Sequence, residues 1–344
     1  MRPLVKEKAG IFAVLLVITL ALVALTLLRS PPKPALPDPV FNGKAASVWT
    51  RQFILDESYE AQNALQQIGE AAVPYLIPNL ERRDSIFNSA YVKLWPVLPT
   101  ILKSRLQPPL LSREARMRAV VAFREIGPPA RQAVSALIER LRDKDATIRL
   151  HSAIALGNIG PDAKAAVPAL KPFLKEKHTV RVYTAIAIWK IEHNTPETLP
   201  VLEQGLQEEN AKFRWAAAVF LGEMGPAAEH AIPLLEKATK AADKETASCA
   251  VQALAQISPG TVPILLETLK DPDPGMRISA AVALGRLGLS AKEAVPDLTA
   301  LLKDPAMGSP TIMGRGFGQE SVSNAAANAI ARIDPEAAAK ASVK

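Results

Sequence analysis

Four stretches of the chain superimpose without a gap: RMRAVVAFREIGPPARQAVSALIERL (116–141), RLHSAIALGNIGPDAKAAVPALKPFL (149–174), RWAAAVFLGEMGPAAEHAIPLLEKAT (214–239) and RISAAVALGRLGLSAKEAVPDLTALL (277–302). Degenerate copies start at Arg181 and near Ala247. The apolar residue before the central turn falls at Ile126, Ile159, Ile191, Met224, Ile257 and Leu287, so successive copies are 33, 32, 33, 33 and 30 residues apart. A fixed period of that size is the signature of stacked supersecondary units. Within a copy, apolar residues recur at helical spacing, as in Ile278, Ala281, Val282, Leu284 and Leu287, and a glycine such as Gly288 follows. Glycine in a left-handed conformation ends a helix, and Pro128, Pro161 and Pro226 directly after it keep the first helix from continuing. A second apolar helix follows, with Pro74, Pro168, Pro200, Pro233, Pro263 and Pro296 near its start, where proline lacks only a hydrogen the first turn does not use. Neither helix can bury its apolar face alone, so each pair must stack on its neighbours. The fold class expected is all-α, an α-α superhelix.

Composition agrees with that reading. The chain has 344 residues, 49% of them apolar and 22% charged, which excludes compositional disorder. Aromatic content is 5%, with 29 prolines against 17 glycines, which suits a helical protein better than a β-sandwich or barrel. A single cysteine, Cys249, removes an intrachain disulfide framework and any cysteine-rich metal site.

Outside the repeats, residues 9–28 read AGIFAVLLVITLALVALTLL, twenty residues without a charge. As a helix they would cover about 30 Å, one bilayer crossing. Arg2, Lys6 and Lys8 precede the run and favour a cytoplasmic amino terminus. A cleaved signal peptide is the competing reading, but its apolar core is usually shorter and ends in small residues, whereas this run ends Leu27, Leu28, Arg29. Residues 1–29 are therefore expected to form a tail and one N-terminal transmembrane helix. Residues 30–41, with five prolines between Pro31 and Pro39, are expected to form an extended linker, and residues 42–344 the repeat domain on the periplasmic or extracytoplasmic side. Within that domain, 41–55 with Trp49 and Phe53 reads as an amphipathic cap. An insertion at 81–113 is expected to pack an apolar face of Ile86, Tyr91, Leu94, Trp95, Leu98 and Leu102 on the stack, and a Gly-rich stretch at 304–320 to form a mobile loop.

The repeated units resemble HEAT repeats of the short, PBS-lyase type common in bacteria, over residues 59–304 with an interruption and again around 323–333. With the leading apolar run, the layout is similar to that of bacterial membrane-anchored HEAT-repeat proteins. The resemblance implies a ladder of ion pairs between an acid closing one unit and a basic residue six positions on: Asp143 with Arg149, Glu208 with Arg214, and Asp271 with Arg277. Lys175 before Arg181 and Leu110 before Arg116 imply breaks at those joints.

No catalytic constellation emerges, and no catalytic residue, metal site, cofactor or small-molecule substrate is assigned. Gly314, Gly316 and Gly318 around Arg315 lack the strand, helix and Gly-Lys-Ser/Thr ending of a phosphate loop, so Arg315 reads as part of a contact loop. Cys249 sits among alanines and reads as core. His151, His178, His193 and His230 come from different units. Trp189 stands where sibling units have Gly157, Gly222 and Gly285, and reads either as packing or as a partner anchor.

Charge is segregated along the chain. The net charge is +7, yet residues 81–190 carry 20 Lys and Arg against 9 Asp and Glu, while residues 191–259 carry 5 against 10. In HEAT-like stacks the second helices line the concave side, so the resemblance makes Arg140, Arg142, Lys171 and Lys175 candidates for a basic partner-binding patch. The function expected is a membrane-tethered, non-enzymatic protein–protein interaction scaffold, with protein partners of unknown identity and contact to the lipid bilayer through residues 9–28. The alternatives are a nucleic-acid-binding HEAT-like protein, which the outward topology and acidic block disfavour, and a bilin-lyase-like enzyme, for which no specific motif is present.

Overall fold

In the computed structural model, the described residues are 38–341, apart from 84, 107, 177–178, 194, 309–310, 313–314 and 317–319. They are almost wholly helical and divide into two compact units, Met1–His151 and Ser152–Lys344.

In the first unit, a short hairpin pairs Val40–Phe41 with Lys44–Ala45 and leads into the helix Ala46–Asp56. Trp49 and Phe53 on that helix are buried. The Trp49 indole donates to the Phe41 carbonyl at 2.8 Å, and the Lys44 ammonium sits 4.1 Å from the centre of the Trp49 ring. The helix packs on Tyr59–Ile68 and on Ser112–Ile126. Arg118 from the latter donates to the Ile54 and Leu55 carbonyls at 2.7 and 2.8 Å, satisfying acceptors that a helix end leaves open.

Residues 81–111 form an excursion that leaves and returns at one place. The Ser112 hydroxyl donates to the Arg83 carbonyl at 2.9 Å, and the Asn88 side chain to the Leu110 carbonyl at 3.1 Å. Between them lie the helices Ile86–Leu94 and Thr100–Lys103. The expected apolar face forms only in part: Leu98 is buried, Tyr91, Leu94, Trp95 and Leu102 are half-buried, and Ile86 is 87% exposed.

In the second unit the first helices Thr179–Glu192, Ala211–Met224, Lys244–Ile257, Pro274–Leu287 and Val322–Ile333 follow one another, each paired with a shorter second helix up to Val295–Leu301. Small residues let consecutive first helices touch. A Cβ added at Gly157, Gly222 or Gly285 would lie 2.7, 2.9 or 3.0 Å from the Cα of Ala187, Ala253 or Ala329. Val182, Leu202, Leu221, Leu235, Leu254, Leu265, Leu284 and Leu298 fill the space beside these contacts, all fully buried. Each contributes about 1.5–3 kcal/mol of burial.

The turn within a unit is a 3₁₀ segment, as at Pro128–Ala133, Gly160–Ala166, Gly225–Ala231 and Gly288–Ala294. The glycine expected in the left-handed helical region is instead at φ +69, ψ −134 for Gly127 and φ +59, ψ −139 for Gly225. This region is closed to residues with a Cβ more strictly than αL is, because the Cβ would clash with the flanking backbone, and glycine there lets the chain turn directly into the 3₁₀ segment. Proline sits at the start of the second helices at Pro74, Pro168, Pro233, Pro263 and Pro296. Pro200 departs from that expectation and lies inside Thr195–Gly205, because this unit has no glycine turn and its second helix begins soon after His193.

The Gly-rich stretch, expected as a loop, contains two short antiparallel pairings: Met307–Gly308 with Glu320–Ser321, and Thr311–Ile312 with Arg315–Gly316. Residues 309–310, 313–314 and 317–319 of that stretch lie outside the described residues.

The expected single-pass membrane placement is corrected. No helix among the described residues is long and apolar enough to cross a membrane. The stretch 9–28 that suggested a transmembrane helix, and most of the 30–41 linker, lie outside the described residues, so neither an extracytoplasmic repeat domain nor bilayer contact has structural support.

At Gly225 an added Cβ would meet nothing closer than the Gln256 carbonyl oxygen at 3.8 Å, so Gly225→Ala isolates the backbone cost of a positive φ. It is expected to destabilise the second unit by about 1–3 kcal/mol, seen as a lower urea midpoint; an unchanged midpoint would show that the turn relaxes freely.

Candidate functional site

At Arg214 and Arg277, an arginine near the start of a first helix joins three helix ends. In the second unit, Arg277 donates through Nη1 to the Asp271 and Pro272 carbonyls at 2.7 and 3.0 Å, closing the preceding second helix. Its Nε and Nη2 reach the Asp304 carboxylate, at the end of its own unit, at 3.0 and 2.9 Å. Arg214 does the same with the Glu208 and Glu209 carbonyls at 2.8 and 2.6 Å and with Asp243 at 3.3 Å. Arg181 pairs with Glu208 at 2.7 Å. Only a planar, forked guanidinium can hold a carbonyl and a carboxylate in two directions at once.

The expected ladder pairs therefore meet differently from the expectation. Asp143 with Arg149, Glu208 with Arg214 and Asp271 with Arg277 touch through the backbone carbonyl of the acid. The carboxylate contacts of Arg181, Arg214 and Arg277 run to the acid 27 or 29 residues further on. The expected breaks are corrected for the same reason. Arg181 has the Glu208 carboxylate despite Lys175, and Arg116 has Asp143 at 2.8 Å despite Leu110. At Arg116 the carbonyl comes from Arg82 at 2.7 Å, on the near side of the excursion. Nothing in the local spacing signals this substitution, since the excursion separates the partners by 34 residues.

The four candidate cations differ in what they touch. Arg140 and Arg142 belong to the first unit, Lys171 and Lys175 to the second. Arg140 lies 3.6 Å from the Asp143 carboxylate, and Lys171 donates to Glu197 at 2.8 Å, which raises the ammonium pKa. Arg142 and Lys175 are exposed, and among the described residues no acidic side chain pairs with either.

Trp189 is half-buried, packed on the core and edge-on to the His193 ring, with centroids 5.2 Å apart. Lys190 next to it lies 4.8 Å from the Phe220 ring centre. Trp189 stands where sibling units carry the glycines that approach alanine, Gly157, Gly222 and Gly285. Arg315 pairs through its backbone with Ile312; Gly314 and Gly318 lie outside the described residues.

Cys249 is buried beside a cavity of about 10 Å³ lined by Val219, Gln252, Ala253 and Gln256, room for one water. Among the described residues no group of three or more His, Cys, Asp or Glu could hold a metal ion, and His178 lies outside them. His151 is half-buried with Nδ1 3.2 Å from Arg124 Nη1; burial first, then that guanidinium, holds its pKa below 6.5.

HEAT repeats match residues 110–187, 175–255 and 232–307, more than half of the chain. The chain belongs to the HEAT-repeat family. Among solved structures, this HEAT-repeat chain is similar to an engineered protein, with 21% identity, a TM-score of 0.42, and 87% of this chain and 81% of that one covered. It is also similar to the complex of CpcE and CpcF of phycocyanin lyase from Nostoc sp. PCC7120, with 17% identity, a TM-score of 0.45, and 77% and 98% covered. No curated protein matches it.

Replacing Arg277 by alanine in this HEAT-repeat chain is expected to destabilise the second unit by about 3 kcal/mol, because it strands a part-buried carboxylate and two carbonyls. Lysine should recover less than half, since one ammonium cannot span both partners. Equal stability of the three proteins in urea would contradict the clasp. For His151, an NMR titration should find a pKa below 6.5 that rises in Arg124→Ala. Above pH ~6.5 the imidazole is neutral folded or unfolded and contributes nothing; on acidification the unfolded chain takes the proton first, so stability falls until the lower folded pKa is passed. A pKa unmoved by Arg124→Ala would remove the guanidinium as a cause.

Proposed function

We propose that the chain is a non-enzymatic protein–protein interaction scaffold. The observation that supports this reading is the division of labour among its cations. Arg116, Arg181, Arg214 and Arg277 are committed to helix ends, whereas Arg142, just beyond the helix Val134–Arg140, and Lys175, which closes the 3₁₀ segment Lys171–Lys175, are exposed without an acidic partner among the described residues. A repeat array presents such residues over an extended surface and needs no pocket to bind. The partner surface that fits is acidic, and the interaction weakens with salt because exposed charges are screened.

The test is proximity labelling from the carboxyl terminus of the full chain in its native host, comparing the parent with Arg142→Glu/Lys175→Glu. The reading predicts that at least one labelled protein falls by about fivefold or more while the circular dichroism spectrum is unchanged. An identical labelled set would contradict the reading. Retardation of DNA that fades steeply with salt, lost in the same double variant, would replace the protein partner with nucleic acid.

A further inference from the structure

The excursion between the first two repeats exposes apolar side chains on a built framework. Val97 and Ile101 are 74% and 70% exposed, and Ile86 is exposed further still. Exposure here does not come from a loose segment. Leu98, between the first two, is turned inward and buried; Tyr91 and Trp95 pack edge-to-face at 5.7 Å; the Lys103 ammonium donates to the Pro96 carbonyl at 3.0 Å. Both ends of the excursion are tied at Arg83–Ser112 and Asn88–Leu110. The fold therefore spends a buried leucine, an aromatic pair and several hydrogen bonds to hold isoleucine and valine out in water. Large apolar side chains held exposed on an ordered segment mark an interaction site.

The excursion is cationic. Residues 81–113 carry six Lys and Arg against two Asp and Glu. Lys93 and Arg105 are exposed, and among the described residues no acidic side chain pairs with either. We infer that the excursion is a docking surface for an acidic amphipathic helix of another protein, whose apolar face covers Val97 and Ile101 and whose carboxylates meet Lys93 and Arg105. Recognition of an amphipathic helix uses this combination of apolar anchors and charge.

Other occupants fit less well. The chain's own apolar stretch at 9–28 is flanked by Arg2, Lys6, Lys8, Arg29 and Lys33, the same sign as the excursion. The acidic block 191–259 of a second copy supplies carboxylates, but no exposed large apolar residue is found among its described residues. Nucleic acid would call for presented aromatic rings, and here Tyr91 and Trp95 pack on each other.

This inference rests on the scaffold reading and names one of its partners by chemistry. Its test is fluorescence anisotropy of the full chain with a labelled amphipathic peptide bearing Leu on one face and Glu on the other, against the same pattern with Lys for Glu. The acidic peptide should bind at least about tenfold more tightly, and Val97→Asp/Ile101→Asp and Lys93→Glu/Arg105→Glu should each weaken it about tenfold or more, with unchanged circular dichroism. Equal binding of the two peptides, or binding indifferent to both variants, overturns the inference. So does self-association of the chain, or binding to anionic phosphatidylserine vesicles, that the same variants abolish. Arg142→Glu/Lys175→Glu should leave peptide binding intact. Loss of peptide binding together with an unchanged dependence of labelling on Arg142 and Lys175 would sink the docking surface and leave the scaffold standing.

Discussion

A helix pair of about 33 residues has no interior. Its apolar stripe is covered only when the next pair lies against it, and how closely that pair can lie is set by the residues at the crossing. In the second unit the crossing is made by glycine against alanine, at Gly222–Ala253 and Gly285–Ala329, where a single added carbon would lie only 2.9 and 3.0 Å from the neighbouring backbone. Close approach of the first helices brings Leu221, Leu254 and Leu284 into full burial, and it positions the ends of the second helices within reach of the arginine forks. The clasp then depends on the crossing, since a guanidinium can bridge a carbonyl and a carboxylate only if both helix ends are held a few ångströms apart.

Much of this could be read before any coordinates. The period, the glycine turn and the proline at the start of the second helix are local features, and local features repeat visibly when the unit repeats. Pro200 escaped because its unit lacks the glycine that sets the register elsewhere. The arginine clasp was half legible. The six-residue spacing from Asp271 to Arg277 marks a real contact, but the atom involved is a carbonyl, which carries no side-chain signal, and the carboxylate that completes the site is a whole unit further along. At Arg116 the interruption concealed the partner, because Arg82, at the start of the inserted segment, replaces the missing residue.

The surface was less legible still. Arg140 and Arg142 look alike in sequence, two residues apart on a basic stretch, yet one leans on Asp143 and the other is exposed. The insertion's apolar residues read as a face to be buried. Tertiary packing turned Leu98 inward and left Ile86, Val97 and Ile101 in solvent, a division that helical spacing does not encode for a segment of short broken helices.

The central claim is that each repeat is held by its neighbours, with the glycine–alanine crossing as the contact that permits it. Amide hydrogen exchange of Gly222→Val measures this directly. The account predicts faster exchange in both the helix carrying residue 222, Ala211–Met224, and the facing helix Lys244–Ile257, because the new side chain must push them apart. Protection lost in Ala211–Met224 alone, with Lys244–Ile257 as slow as in the parent protein, would contradict it.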